Sequence, residues 1–255
     1  MQFHLNGYAP GDPDILPEAP QVRQRSADLP PNVDVLVVGS GPAGTVLAAQ
    51  LSTFPGISTR LIERRRGPLE LGQADGVACR TVETFEAFDL ATKLIREAHW
   101  INETVFWRPS PDDRTRIVRT GRIQDVADGL SEFPHVIVNQ ARMQEYLLEY
   151  MRKSPTRLEP DYGFEFVRLT VTEGDYPVEV SVRNVESGTE QIIRAKYVVG
   201  CDGARSVVRQ SIGVELRGDY ANHAWGVMDI LAVTDFPDIR LKAAIQSAEI
   251  GRAHV

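Results

Sequence analysis

Cysteine is scarce in this sequence: Cys79 and Cys201 stand far apart, with no metal-type spacing. A disulfide scaffold and a cysteine-based zinc site are excluded, and two reduced packing thiols of a cytoplasmic protein are expected. Long apolar runs are lacking too, so nothing approaches the roughly 20 residues that span a bilayer. Met1 to Gly7 shows neither the basic region nor the apolar core of a signal peptide. There is no excess of positive charge; the net charge of -7 argues against nucleic acid or an anionic membrane as partner. No internal repeat is visible. What remains is 255 residues with 42% hydrophobic content, enough for one large or two smaller domains with real cores.

One stretch organises the chain. Val33 to Val38 is a near-continuous apolar run, which predicts a strand buried on both faces of a parallel sheet. Gly39, Gly41 and Gly44 follow at G-x-G-x-x-G spacing, and Thr45 to Leu51 predicts a helix. Gly39 would permit the tight turn, Gly41 the approach of a pyrophosphate, and Gly44 close helix–strand packing. The free N–H groups at the start of that helix favour an anion. A lone glycine pattern is weak, but a second strand, Thr59 to Ile62, ends in Glu63. That acid falls roughly 20 residues on, where a ribose hydroxyl needs an acceptor. The plain structural reading of Glu63 is a carboxylate paired with Arg64 or Arg65.

Around this unit the chain divides by composition. Residues 1–31 are proline-rich and read as an extension that wraps the surface or meets a second subunit, or as a disordered tail. Gly72-Gln73-Ala74-Asp75-Gly76 is a polar loop, and Thr81 predicts the N-cap of a helix with Val82, Phe85 and Phe88 inward. Short strands are expected at Thr104–Trp107 and Arg116–Arg119, then His135 opens the strand run Phe133–Val138. A helix with Met143, Leu147 and Met151 on one face ends at Pro155. Val178–Val182 and Ile192–Val199 predict strands, as does Gly226–Val233. The run to Val199 meets Gly200-Cys201-Asp202-Gly203, a second strand–turn–helix corner.

Taken together these motifs resemble the class A FAD-dependent aromatic hydroxylases. That family pairs the early glycine pattern and acid with a mid-chain Asp-Gly-Ala-x-Ser-x-x-Arg segment, here Asp202 to Arg209. Gly72 to Gly76 followed by Arg80-Thr81 resembles the phenol hydroxylase and 3-hydroxybenzoate 4-hydroxylase branch, as does Met1 to Gly7. The implied fold is α/β: a Rossmann-like FAD-binding domain of the glutathione-reductase type, with an inserted mixed-sheet substrate domain. On that reading residues 32–100 and 135–212 form a discontinuous FAD-binding domain, and 101–134 with 213–248 part of the substrate domain. The family's late Gly-Asp signature is absent, so the chain is read as truncated at its C-terminus and inactive alone. Residues 249–255 match the translation of a common sequencing adapter; the genuine sequence is expected to end near Ala248, and His254 is not a ligand.

The resemblance also implies roles. Gly39, Gly41 and Gly44 would cradle the FAD pyrophosphate and Glu63 would hold the adenosine ribose. Arg80 and Gln140 match positions on the flavin side, and Asp202 with Gly203 matches the aspartate near the pyrophosphate. The implied reaction is hydroxylation of a phenol by NADPH and O2 through a flavin hydroperoxide, with no metal. Attack is faster from an ionised phenol, so a base or polarising group is needed. Asp75 matches the branch's active-site aspartate, although Asp-Gly is also a common turn. His135 is a second candidate, able to meet a substrate hydroxyl or carboxylate, or a structural histidine. Lys242 could pair with a carboxylate, but a surface role is its default. A homodimer is expected at full length. The alternatives are an FAD-dependent reductase without oxygen insertion, and a non-catalytic dinucleotide-binding fragment.

Overall fold

The computed structural model describes residues 11–20, 22, 28–72, 74–219, 221, 222, 224, 226–247 and, for backbone alone, 252–254. Met1 to Gly7 and Gln73 lie outside the described residues. The elements in order are β1 (Asn32–Val38), α1 (Pro42–Leu51), β2 (Thr59–Glu63), β3 (Gly76–Val77), α2 (Cys79–Glu86), α3 (Ala91–Glu97) and β4 (His99–Ile101). There follow β5 (Glu103–Pro109), β6 (Ile117–Gln124), β7 (His135–Ile137), α4 (Gln140–Lys153), β8 (Pro160–Tyr162) and β9 (Phe164–Val171). The last are β10 (Val178–Asn184), β11 (Glu190–Gly200), α5 (Val207–Ser211), β12 (Lys242–Gln246) and β13 (Arg252–His254).

The chain divides into two units. The first comprises Met1–Gly72 with Gln140–Arg217. Its six-stranded sheet has the order β8-β2-β1-β11-β10-β9. Strands β8, β2, β1 and β11 run parallel, and the β9–β10–β11 end is antiparallel. The apolar run at β1 forms the central strand because Val33, Leu36, Val37 and Val38 are all buried. Val33, Leu36 and Val38 pack with Ile62, Phe166, Val180, Val182, Ile193 and Val208 in one core cluster. Helix α1 buries Ala48 and Ala49, and α4 buries Leu147, Leu148 and Met151. The described part of the extension lies along this unit: Leu16 N–H donates to Lys153 O and Ala19 N–H to Pro155 O, both at 2.9 Å.

One ion pair ties the edge of this sheet. Arg60 on β2 donates through Nε to Asp161 on β8 at 2.7 Å, with both side chains under a tenth exposed. Two charges taken from water are tolerable here because the guanidinium grips both carboxylate oxygens.

The second unit comprises Gln73–Asn139 with Gly218–Val255. It holds a four-stranded sheet, β13-β12-β5-β6, and a three-stranded one, β3-β7-β4. Residues 73–100 and 135–139 thus group here and not with the first unit, because β3 and β4 both pair with β7. Buried Asp238 accepts from Trp107 Nε1 and Arg119 Nε, each at 2.8 Å, and so staples the segment before β12 onto β5 and β6.

Two expectations are corrected. Helix α2 starts at Cys79 with Ala78 as N-cap; Thr81 lies inside it, its N–H donating to Ala78 O at 2.8 Å. Strand β3 ends at Val77, so the chain turns into the helix before Thr81 is reached. The described residues from Gly226 to Val233 form no strand, and Val227, Leu231 and Val233 are almost fully exposed. Their apolar pattern has no hydrogen-bonded neighbour among the described residues, and a strand needs one.

Replacing Arg60 alone by leucine is expected to cost about 3–5 kcal/mol in a urea unfolding experiment, because it strands a buried carboxylate. Replacing the pair together, Arg60→Met with Asp161→Leu, is expected to recover most of that loss.

Candidate functional site

The first unit brings its two glycine corners together. Strands β1 and β11 are parallel neighbours in register Val38↔Gly200, so both turns leave the same end of the sheet. Gly39 has φ of +98°, a left-handed conformation, and its N–H donates to Ile62 O at 2.8 Å. A Cβ on Gly39 would stand 2.6 Å from Cys201 O and 3.1 Å from Asp202 Cα. A Cβ on Gly44 would stand 1.9 Å from Gly39 O. Gly41 is different: nothing lies within 4 Å of where its Cβ would be. It is the N-cap of α1, with no side chain capping the helix and Pro42 in the first turn. An uncapped helix start beside an open glycine suits an anion that approaches the backbone closely.

The second corner is self-contained. Asp202 Oδ1 accepts from Ser206 Oγ at 2.6 Å, and Oδ2 accepts from Val207 N–H at 2.6 Å and Val208 N–H at 3.1 Å. The carboxylate therefore caps α5, helped by Ser206, whose Oγ accepts from Arg209 N–H. Gly203 has φ of +85°, which makes the turn between them. At Gly200 a Cβ would meet Val208 Cβ at 2.9 Å, so α5 packs onto the end of β11 only over glycine. Burial pushes the Cys201 thiol up, with the Asp202 charge adding to it, which disfavours the thiolate.

Glu63 at the end of β2 is buried, at 7% exposure, and heavily hydrogen-bonded. Its Oε2 accepts from Ser40 N–H at 2.9 Å and Ser40 Oγ at 3.0 Å. Its Oε1 accepts from Arg65 N–H at 2.9 Å and Nε at 3.1 Å. Burial alone would raise this carboxyl; the bonds from Arg65 and Ser40 outweigh it and hold it below the usual range. Ser40 is joined from the other side by Gln144 of α4, whose Nε2 donates to Ser40 O while Oε1 accepts from Leu69 N–H at 2.7 Å. Neither Ser40 nor Gln144 stood out in the sequence. The available signal was a polar side chain within the buried stripe of α4, one turn after Gln140. Gln140 itself is the first residue of α4 and half-buried.

The remaining candidates lie in the second unit. Asp75 leads into β3, and its carbonyl accepts from Val138 N–H at 2.9 Å. Arg80 is 79% exposed on α2 and pairs with Glu83 at 3.1 Å. His135 starts β7, opposite Ile101 of β4. Its Nδ1 is 2.6 Å from Asp125 Oδ2. Lys242 lies 3.3 Å from Asp125 Oδ1, so its partner is that carboxylate.

A sequence profile of the FAD binding domain matches residues 32–254. The chain belongs to that family. It is 56% identical over 98% of its length to a 3-hydroxybenzoate 4-monooxygenase of Comamonas testosteroni, of which it covers 40%. It is 42% identical over 84% of its length to an FAD-dependent monooxygenase of Aspergillus terreus, of which it covers 35%. The solved flavin-dependent monooxygenase PieE, in complex with FAD and substrate, aligns with a TM-score of 0.62 at 26% identity. That alignment covers 74% of this chain and 33% of PieE. The chain thus spans about two fifths of the length of the curated relatives it matches. Among the described residues no helix is long and apolar enough to cross a membrane.

The first unit's geometry fits the dinucleotide that the family binds: open backbone at Gly41, an uncapped helix start, and an acid at the end of the next strand. Two glycines separate fold from binding. Gly44→Ala is expected to lower stability by about 3 kcal/mol, the upper end for overpacking, because the clash is with backbone. Gly41→Ala should leave stability within about 0.5 kcal/mol, since its φ of -68° suits any residue and the space is open. Its expected effect is instead a loss of about tenfold or more in FAD affinity, read by quenching of flavin fluorescence.

Glu63 also sets an acid limb of stability. Its folded pKa lies below the unfolded value of about 4.3, so its contribution is complete above that value and lost as pH falls through the folded one. Urea midpoints measured from neutral pH downward are expected to fall less steeply in Glu63→Gln.

Proposed function

We propose that this chain is the FAD-binding part of a monooxygenase that hydroxylates a phenolic ring, 3-hydroxybenzoate or a related phenol, with NADPH and O2. The observation that carries the reading is the junction of the two corners, with Gly39 against Cys201 and Asp202 and open space at Gly41. The substrate class follows from the 3-hydroxybenzoate 4-monooxygenase likeness.

FAD, when bound, would accept hydride and activate dioxygen. The chain's own residues bind and orient. Gly39, Gly41 and Gly44 with the α1 start would receive the pyrophosphate, Glu63 the ribose hydroxyls, and Asp202 would hold the α5 corner against the same phosphates. Arg80 and Gln140 are proposed for the flavin side. Two groups are proposed to face the phenol, the Asp75 carboxylate and the His135 imidazole. One of them must take or share the hydroxyl proton, since an ionised ring is the better nucleophile.

The test is a chimaera in which this chain replaces the matching 40% of the Comamonas testosteroni relative. It is expected to oxidise NADPH and release hydroxylated product from 3-hydroxybenzoate. Asp75→Asn and His135→Gln should each be assayed, and loss of the group that handles the proton is expected to cut product formation about 100-fold or more. NADPH oxidation that yields peroxide and no hydroxylated product would assign a reductase instead.

A further inference from the structure

His135 does not stand alone. Its Nδ1 lies 2.6 Å from Oδ2 of Asp125, the residue immediately after β6. The other oxygen, Oδ1, accepts from Thr104 Oγ1 of β5 at 2.9 Å and meets Lys242 Nζ of β12 at 3.3 Å. Asp125 N–H donates to Asn102 O at 2.9 Å, which fixes the residue's backbone as well. Burial raises the Asp125 carboxyl, but the His135 and Thr104 bonds outweigh it and the net shift is downward. It is therefore a carboxylate at neutral pH, able only to accept. The ring's far atom, Nε2, looks toward β3: a Cβ on Gly76 would stand 3.6 Å from it. Glycine at that position keeps the space before Nε2 clear, one residue from Asp75.

We propose that Asp125 is a positioning residue that keeps the His135 proton on Nδ1 and so leaves the Nε2 lone pair to receive the proton of the phenol. This rests on the phenol reading above and extends it by choosing between the two proposed groups. In the neutral ring one nitrogen carries hydrogen and the other a lone pair, and a fixed acceptor at Nδ1 decides which. The step balances within the site. The phenol O–H bond breaks, an Nε2–H bond forms, and phenolate and imidazolium result, with the positive ring held against Asp125. A ring fixed in this tautomer cannot donate from Nε2 while neutral, so it would select a hydroxyl over a carboxylate.

The 255-residue chain, supplied with FAD and labelled with 15N-histidine, tests this at a pH above the ordinary histidine value of about 6.5. The His135 resonances are expected to report hydrogen on Nδ1. Addition of 3-hydroxybenzoate should shift Nε2 toward the protonated position, with a phenolate band in the ultraviolet difference spectrum. In Asp125→Asn the tautomer preference is expected to weaken and the phenolate signal to fall about tenfold. Thr104→Val, which leaves the His135–Asp125 bond intact, should keep both signals and controls for folding. Hydrogen on Nε2 in the wild-type chain would overturn the proposal, as would a phenolate signal unchanged by Asp125→Asn. No response of His135 to 3-hydroxybenzoate, with Nδ1 protonated, would instead overturn the phenol reading and remove the role with it.

Discussion

Backbone packed directly on backbone, with no side chain between, is the constraint on which the first unit depends. Gly44 in α1 lies over the carbonyl of Gly39, and Gly39 lies against Cys201 and Asp202 beyond β11. Strands β1 and β11 must be adjacent and parallel for this to occur, and their register Val38↔Gly200 ends both at one level. Gly200 repeats the device by admitting Val208 of α5. Helices α1 and α5 begin at the same end of the sheet as a result, each with first-turn N–H groups to satisfy. At α1 those groups carry no side-chain cap, whereas at α5 Asp202 and Ser206 supply one. The uncapped start is thus the better anion site, and the capped one a structural wall beside it.

Much of this was legible because it is written in residue types that have no substitute. An apolar run, glycines at fixed spacing and an acid after the next strand define β1, α1 and β2 locally. Glu63 was legible as an acid at the right distance, but its partners were not. Ser40 has no propensity that marks it, and Gln144 reaches Ser40 from a helix a hundred residues on. The strand expected at Gly226–Val233 shows the opposite failure, in which local pattern suggests pairing and only tertiary structure can supply the partner. Thr81 fails for a related reason: its cap propensity is real, but β3 delivers the chain into α2 three residues earlier. The grouping of β3, β4 and β7 also escaped notice, since two- and three-residue strands carry too little periodicity to read.

Three carboxylates, Glu63, Asp202 and Asp125, share one design. Each is compensated for lost water by several donors, backbone and side-chain at Glu63 and Asp202 and side-chain alone at Asp125. Asp202 directs three accepted bonds to the start of α5, from Ser206 Oγ and the Val207 and Val208 N–H groups. Asp125 divides its oxygens between one ring and two anchors, which makes the ring's orientation a property of the sheet around it. At Glu63 the donors differ in permanence. Ser40 is fully buried and held by Gln144, whereas the Arg65 side chain is about a third exposed. On the proposed reading, a ribose hydroxyl that reaches Glu63 would therefore displace the guanidinium and leave Ser40 in place. Water can take up the released arginine, but it cannot reach the serine, so the exchange runs through the exposed donor.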